Sequence, residues 1–378
     1  MASVIVVGAG VFGASVADRL AGAGWDVTLV DRDEPGHARA ESGGESRLMR
    51  FSHGPKHWYA RSAWRARELW LELDPRLVVE AGVVWFARRE GGWEDESERV
   101  LREEGIPVER LDLDQAARLY PSLGTSDLAF VLHEPAAGIL RARDATRALV
   151  QRARERGARL ELGEAKPDGS AVSVNGRRLE ADRVVWACGA WLGRLFPELV
   201  RLRVTQQDLF FFGAPSGWAT PPVPGFVDYD GAAYGLGALD GHGVKVAPDV
   251  EGRPFDPDTR ERAPAAENER LVRELVARRF PALKHAPISS TAVCQYSLTA
   301  DTEFIAAPHP QHPGVWLLGG GSGHGFKHGP ALAERILAWM TEDEGPEPRF
   351  GLGPREPDRS LRTAGAGGVT ATPGAGAG

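Results

Sequence analysis

Residues 4–13 read Val-Ile-Val-Val-Gly-Ala-Gly-Val-Phe-Gly, and this pattern is the first indication of the fold. Residues 4–7 form a continuous apolar run, as expected for a strand that is buried on both faces of a parallel sheet. Gly8 permits a tight turn, Gly10 lets the backbone approach a pyrophosphate, and Gly13 permits close helix–strand packing. The helix that begins with Val11 and Phe12 directs its free N–H groups towards the phosphates.

A second apolar strand, predicted at residues 27–30, ends at Asp31, where a carboxylate can accept hydrogen bonds from ribose hydroxyls. The order of strand, turn, helix, strand and acid predicts a dinucleotide-binding site, with Arg32 next to it. The alternative is an ordinary glycine-rich turn, because GxGxxG alone is a weak signal. The pattern does not separate NAD from FAD, but an acid at this position disfavours the 2′-phosphate of NADP.

Composition excludes several classes of protein. The chain has 378 residues, 42% of them hydrophobic, and a net charge of −7 without a basic block, so we expect no nucleic-acid partner. No apolar run approaches the ~20 residues of a membrane span. Cys188 and Cys294 cannot build a disulfide framework, and we therefore expect a cytoplasmic protein. We identify no metal site.

The later part of the chain has a different sequence pattern. Short apolar runs separated by Gly and Pro between residues 204 and 299 predict a largely antiparallel sheet. The fold class is therefore α/β, a Rossmann-type domain interleaved with an α+β substrate domain. We assign residues 1–79, 139–207 and 300–345 to the first domain, residues 80–138 and 208–299 to the second, and residues 351–378 to a disordered tail.

Several segments carry a more specific signal than the glycines. These are Ser-Arg-Leu-Met-Arg at 46–50, Cys-Gly-Ala-Trp at 188–191, Tyr-Gly at 234–235, Gly-Val-Lys at 243–245, Asp-Pro-Asp-Thr at 256–259, Ala-Val-Cys-Gln-Tyr at 292–296 and Ser-Gly-His-Gly-Phe-Lys at 322–327. In order and spacing, residues 3–345 resemble the family of monomeric sarcosine oxidase and N-methyltryptophan oxidase. These enzymes are FAD-dependent and similar to D-amino-acid oxidase.

The resemblance implies a covalent flavin. In such enzymes the cysteine of this segment, here Cys294, bonds the 8α-methyl carbon of FAD as a thioether. The alternative is a buried core thiol, which is common. Cys188 follows an apolar strand and is interpreted as structural. Ser46, Arg47 and Gly189 match residues that flank the cofactor.

The resemblance also implies the substrate-binding groups. Arg50 and Lys327 match residues that bind the substrate carboxylate, a role that suits a planar guanidinium. The glycines before Lys327 would let the backbone approach the flavin ring; the cofactor-binding residues of this segment are Gly321, Gly323, Gly325, Phe326 and Lys327 itself. Solvated surface cations are the alternative for both charges.

Lys245 matches a lysine beside flavin N5 that activates oxygen, since positive charge there would stabilise superoxide. Its alternative is a strand-edge lysine that faces solvent. Tyr234 and Tyr296 match pocket-lining tyrosines and could equally be core aromatics.

Two positions depart from the sarcosine oxidase pattern, because Asp249 and Gly43 stand where histidines are expected. Asp249 is a candidate base or amine partner, or a turn residue; Gly43 would enlarge the pocket or remove a flavin contact.

The predicted function is oxidation of a secondary or cyclic amino acid to an imine, with O2 reduced to hydrogen peroxide. The amino-acid substrate and O2 are the expected partners, and we expect a monomer. The alternatives are a flavin dehydrogenase or a picolinate-forming desaturase of a cyclic imino acid, an NAD(P)H-dependent monooxygenase, and a catalytically idle flavoprotein.

Overall fold

A six-stranded sheet forms the first half of the molecule, whose structure is described from a computed structural model for residues 1–341 and 345–357. Its strands lie in the order Ile305–Pro308, Val315–Gly319, Arg183–Trp186, Ser3–Val7, Asp26–Asp31 and Arg159–Leu162. Every neighbouring pair is parallel except the one that contains the edge strand Ile305–Pro308. The predicted Rossmann-type sheet is therefore confirmed.

Four helices pack beside this sheet. Helix Val11–Gly22 contacts helices Ala142–Glu155 and Gly329–Thr341. Helix Gly329–Thr341 also contacts helix His57–Leu73. Helix Val11–Gly22 buries Val11, Ala14 and Ala17 at the spacing of one helical face. The long helix His57–Leu73 has 17 residues, and no helix in the described ranges is long and apolar enough to cross a bilayer.

The second half is built on an eight-stranded sheet. The strand order is Ile288–Leu298, Arg203–Phe212, Val244–Pro248, Ala233–Leu236, Gly225–Asp228, Val83–Ala87, Phe130–Glu134 and Glu109–Leu111. One neighbouring pair, Gly225–Asp228 with Val83–Ala87, is parallel and the others are antiparallel. The prediction of a mixed, largely antiparallel sheet is confirmed. Helix Ala266–Arg279 packs on it through Val272, Leu275 and Val276.

Smaller elements complete the fold. One three-stranded sheet contains Ser46–Met49, Gly138–Arg141 and Val78–Val79, and another contains Ala165–Asp168, Ala171–Val174 and Arg177–Leu179. The remaining α-helices are Trp93–Glu103, Leu113–Ala117 and Leu192–Leu195. Single 3-10 turns are Pro75–Leu77, Gly189–Trp191, Ser216–Trp218, Pro281–Leu283, Phe326–His328 and Pro348–Phe350.

Two sequence-based boundaries need correction. The predicted domain limit at residue 207 lies inside strand Arg203–Phe212, whose whole ladder with Ile288–Leu298 belongs to the eight-stranded sheet. The predicted tail also begins too early, because Arg355 pairs with Asp301 at 2.8 Å and donates to the Phe304 carbonyl at 2.9 Å. These contacts bind residues 351–357 to the body. The rest of the predicted tail, 358–378, lies outside the described residues.

Candidate active site

A cavity extends from the glycine turn of the parallel sheet to the strand that carries Cys294. Many predicted cofactor residues line it: Gly8, Gly10, Val11, Phe12, Asp31, Arg32, Arg47, Gly189, Cys294, Tyr296, Gly321, Gly323, Gly325 and Phe326. Gly13 lies behind the turn, where a Cβ atom would collide with the Gly8 carbonyl. The structure therefore brings together segments that are far apart in sequence.

The dinucleotide end of the cavity is formed by backbone geometry. Gly8 has a φ of 106°, and any side chain there would collide with the Ala187 carbonyl. The Asp31 carboxylate accepts hydrogen bonds from Ala9 N at 2.5 Å and Asp33 N at 3.1 Å. Arg32 lies over the Trp191 ring and 3.1 Å from Asp258. Arg32, the residue after Asp31, is therefore held in place by an aromatic ring and a carboxylate.

Arg47 connects three segments at the other end. Its Nη2 atom donates to the carbonyls of Glu41 at 2.7 Å and Gly43 at 2.8 Å, and it lies 3.7 Å from the Cys294 sulfur. The guanidinium group also lies over the Phe326 ring. Cys294 is half-buried in strand Ile288–Leu298, opposite Gln207. This ladder fixes the position of the sulfur on the cavity wall.

Lys245 lies inside the protein beside this region. Only 2% of it is exposed, and its Nζ atom donates to the Ser46 carbonyl and to Ser46 Oγ, both at 3.2 Å. Burial, reinforced by the charge of Arg47, lowers the pKa of Lys245 to about 7. The alternative of a solvent-facing lysine is therefore wrong. Ser46 anchors this amine and does not itself belong to the cavity lining.

The two tyrosines face each other across the site. Their hydroxyl oxygens are 3.4 Å apart, and Tyr296 follows the strand alternation of Cys294. Burial, with Tyr296 and then Asp249 nearby, raises the pKa of Tyr234 well above its ordinary value. Asp249 is 5% exposed and directly follows strand Val244–Pro248, where its N–H donates to the Ala232 carbonyl at 2.6 Å. A buried carboxylate therefore lies next to the tyrosine pair.

Arg50 and Lys327 lie in the interior, next to a group of histidines. Arg50 is 6% exposed, donates to the Ser52 carbonyl at 2.7 Å and lies over the Trp85 ring. Lys327 is 2% exposed, with Nζ 3.2 Å from the carbonyl oxygen of His324. Both cations contribute to lowering the pKa of His53, which places them close to the same imidazole. Neither is a surface charge, so that alternative is wrong for both.

Among the cavity residues that sequence reasoning missed are Glu41 and Ser42. Glu41 accepts a hydrogen bond from Ser297 Oγ at 2.6 Å, and burial raises the pKa of this carboxyl to about 7 despite that bond. Ser42 Oγ accepts from Val11 N at 2.8 Å, at the start of the first helix. Both residues lie in a polar loop whose burial depends on distant strands, so local sequence carries no signal for them.

The structure revises the interpretation of Gly43 and places Cys188 beside the cavity. A side chain at position 43 would collide with the carbonyl oxygen of His37, so glycine here closes the loop that Arg47 binds rather than enlarging the pocket. Cys188 lies on the cavity wall, and its sulfur is 3.4 Å from the Val7 carbonyl. Burial raises the pKa of its thiol well above the ordinary value. That environment is typical of an unreactive thiol.

The family model of FAD dependent oxidoreductases matches residues 3–339. The chain belongs to this family. It is an FAD-dependent oxidoreductase, as predicted. The cavity extends from the glycine turn to Cys294, which agrees with an extended dinucleotide cofactor. Gly8 and Gly13, where a side chain would collide with backbone, lie in the turn that leads into helix Val11–Gly22 and in the first turn of that helix, respectively. A glycine turn at the N-terminus of a helix fits the pyrophosphate of FAD.

Curated relatives support the same family. The chain is 29% identical to monomeric sarcosine oxidase from Bacillus sp. (strain B-0618), covering 90% of this chain and 93% of that protein. It is 26% identical to N-methyl-L-tryptophan oxidase from Salmonella arizonae, with coverage of 93% and 96%. The predicted resemblance is confirmed by these relatives.

Solved structures show the same fold. Iminodiacetate oxidase from Chelativorans sp. BNC1 is 25% identical with a TM-score of 0.76, covering 94% of this chain and 100% of that chain. L-proline dehydrogenase from P. horikoshii has a TM-score of 0.80 at 20% identity, with coverage of 93% and 96%. The second likeness concerns the fold alone.

Proposed function

We propose that the protein is an oxidase of a secondary or cyclic amino acid, with FAD bonded covalently through the Cys294 sulfur. The relatives named sarcosine oxidase and N-methyl-L-tryptophan oxidase support the substrate class. A cytoplasmic monomer is part of the proposal, supported by the scarcity of cysteine and by the relative named monomeric sarcosine oxidase.

The observation that carries the proposal is the burial of three cations near residues that line the cavity. Arg50, Lys245 and Lys327 are each no more than 6% exposed. Burying a charge costs several kcal/mol unless another group compensates it, so buried cations concentrate where a protein binds an anion or stabilises developing negative charge. An amino-acid carboxylate supplies such an anion.

Each residue then has a defined task. FAD, when bound, would supply the two-electron chemistry: oxidation of the substrate at the carbon next to the amine nitrogen, balanced by reduction of O2 to hydrogen peroxide. Arg50 and Lys327 hold the substrate carboxylate. Asp249 interacts with the amine, which must be neutral to react, and the tyrosine pair closes the pocket. Lys245 supplies positive charge next to Ser46, where oxygen is reduced.

A peroxide-coupled screen of N-methyl and cyclic amino acids tests this function. We expect peroxide from at least one amine that bears a carboxylate, and none from the same amine as its amide. Failure of every carboxylate-bearing amine would contradict the roles of Arg50 and Lys327.

The buried Asp249 favours a second candidate, the desaturation of a cyclic imino acid, with oxygen or another acceptor. A carboxylate there could take successive protons from a ring. The two candidates differ in their product, since the second gives an aromatic ring that absorbs ultraviolet light. Product analysis after complete conversion of a cyclic imino acid therefore separates them.

A further inference from the structure

Three histidine side chains converge in the interior, behind the segment that carries Lys327. They are His53, His324 and His328, and one ring nitrogen from each lies within 4.8 Å of the others. His53 is 8% exposed and His328 is fully buried. The residues come from three separate places: the loop before helix His57–Leu73, the glycine-rich turn, and the turn Phe326–His328.

The outer nitrogen of two rings is held by the protein. His324 Nε2 lies 3.0 Å from the Thr302 carbonyl and must carry the proton, since a carbonyl only accepts; Nδ1 therefore presents a lone pair towards the cluster. His328 Nδ1 lies 3.0 Å from Ser62 Oγ, which leaves Nε2 on the inner side. Metal-ligating histidines commonly have this arrangement, with an outer partner that fixes the ring and its tautomer.

Two inner nitrogens lack protein partners. In the described part of the chain, His53 Nε2 and His328 Nε2 are buried and have no hydrogen-bond partner. Such groups are costly to bury, so their presence side by side calls for a bound species between them.

We propose that His53, His324 and His328 form a binding site for a divalent transition metal ion of the Zn²⁺ class. Zn–N bonds of about 2.0–2.1 Å place tetrahedral ligand atoms roughly 3.3 Å apart, so the rings must close slightly around the ion. Three neutral imidazoles leave a fourth position for water. The site is distinct from the cofactor cavity and was not predicted from the sequence.

The neighbouring charges oppose the ion. Lys327 and Arg50 both act on His53, and their repulsion of a dication lowers its affinity. Imidazole nitrogen is a good ligand for Zn²⁺, and the two buried nitrogens without a protein partner gain an interaction when the ion binds, so both effects favour binding. Uptake of one ion per chain would show that ligation by the imidazoles outweighs repulsion by Lys327 and Arg50. The number of ions bound per chain is therefore the quantity to measure.

The test uses the holoprotein after dialysis against a chelator. Zn²⁺ is titrated in competition with a coloured indicator, and Co²⁺ is added separately to record its ligand-field bands. We expect about one equivalent of Zn²⁺ per chain, and the cobalt bands of a tetrahedral site. The variants H53Q and H328Q should each lower the affinity at least tenfold. Flavin absorbance and the melting temperature show whether each variant is folded.

A matched control removes another pair of neighbouring histidines, both half-buried. His309 and His312 have ring centroids 4.5 Å apart and lie outside the proposed site. The double variant H309Q/H312Q should keep the full equivalent of Zn²⁺. Loss of binding in this control, unchanged binding in both H53Q and H328Q, or no stoichiometric uptake by the unaltered protein would overturn the proposal. None of these readouts depends on amine oxidation.

Discussion

The Nη2 atom of Arg47 lies 3.7 Å from the sulfur of Cys294, although the two residues are 247 positions apart. The same nitrogen fixes the carbonyls of Glu41 and Gly43, and the guanidinium group covers the Phe326 ring. One side chain therefore joins the loop, the strand and the glycine-rich turn from which the candidate site is built. The position of the Cys294 sulfur relative to the loop and the turn therefore depends on how these distant segments pack together.

Replacing Lys245 with Met should slow the reaction with oxygen. The buried ammonium group would no longer stabilise negative charge as oxygen is reduced, so we expect reoxidation to fall by about 100-fold. Stopped-flow mixing of the reduced enzyme with oxygenated buffer measures this step. Reduction by the amine should change much less.

The matched control for this experiment is Lys166→Met, because Lys166 is exposed at the edge of a small sheet. It should reoxidise at the unaltered rate. Equal oxygen reactivity in Lys245→Met and the unaltered protein would mean that another group activates oxygen.

The same substitution should stabilise the fold at low pH. Folding lowers the pKa of Lys245 from 10.5 to about 7. Below about pH 7 the lysine is charged in both states and the folded protein bears the full cost of burying it; the cost disappears as pH rises towards 10.5. Lys245→Met should therefore raise the free energy of unfolding by a few kcal/mol at pH 6, and by little near pH 10. Urea titrations at both pH values measure the difference.

Replacing Glu41 with Gln should have the opposite pH dependence. Folding raises the pKa of Glu41 from 4.5 to about 7, so the cost of a buried carboxylate is absent below about pH 4.5 and complete above about pH 7. Glu41→Gln should be more stable than the unaltered protein at pH 8 and nearly equal to it at pH 5. A larger gain at pH 5 than at pH 8, from the same urea titrations, would contradict the burial of this carboxyl.

Substitutions at Arg50 and Lys327 should weaken substrate binding. Without one cation the carboxylate loses a charge-assisted hydrogen bond, and we expect the KM for the best amino acid to rise about tenfold or more in Arg50→Gln and in Lys327→Gln. Arg50→Lys should recover part of the loss, because it restores charge but not the planar fork. Steady-state peroxide assays give the constants.

The control here is Lys284→Gln, at an exposed position far along the chain. Its KM should equal that of the unaltered protein. A uniform fall in kcat without a change in KM in both test variants would assign them a role other than carboxylate binding.

Local patterns predicted the part of the site that depends on neighbouring residues. The turn at Gly8, Gly10 and Gly13 joins one strand to one helix at a fixed spacing, so its signature is readable in the sequence. The collision of a Gly8 side chain with the distant Ala187 carbonyl is visible only in the structure. The resemblance indicated Cys294, Lys245 and Lys327 because their segments match a known family. The turn pattern and the family match both depend on residues within one continuous segment of the chain.

Packing between distant segments was not predictable. The burial of Glu41 depends on Ser297, and the histidine group brings His53 beside His328. Gly43 looked like a lost pocket residue, although its role is to leave room for the His37 carbonyl. The first two relationships arise only when distant segments meet, and the third depends on how one loop folds back on itself; no periodicity or spacing records any of them.

The most direct test of the covalent flavin is acid precipitation of the purified protein, followed by mass measurement of the intact chain. We predict that the yellow colour stays with the precipitate and that the chain is heavier by one FAD. Cys294→Ser should release the colour, whereas Cys188→Ser should retain it. Colour in the supernatant of the unaltered protein, or attachment that survives in Cys294→Ser, would contradict the account.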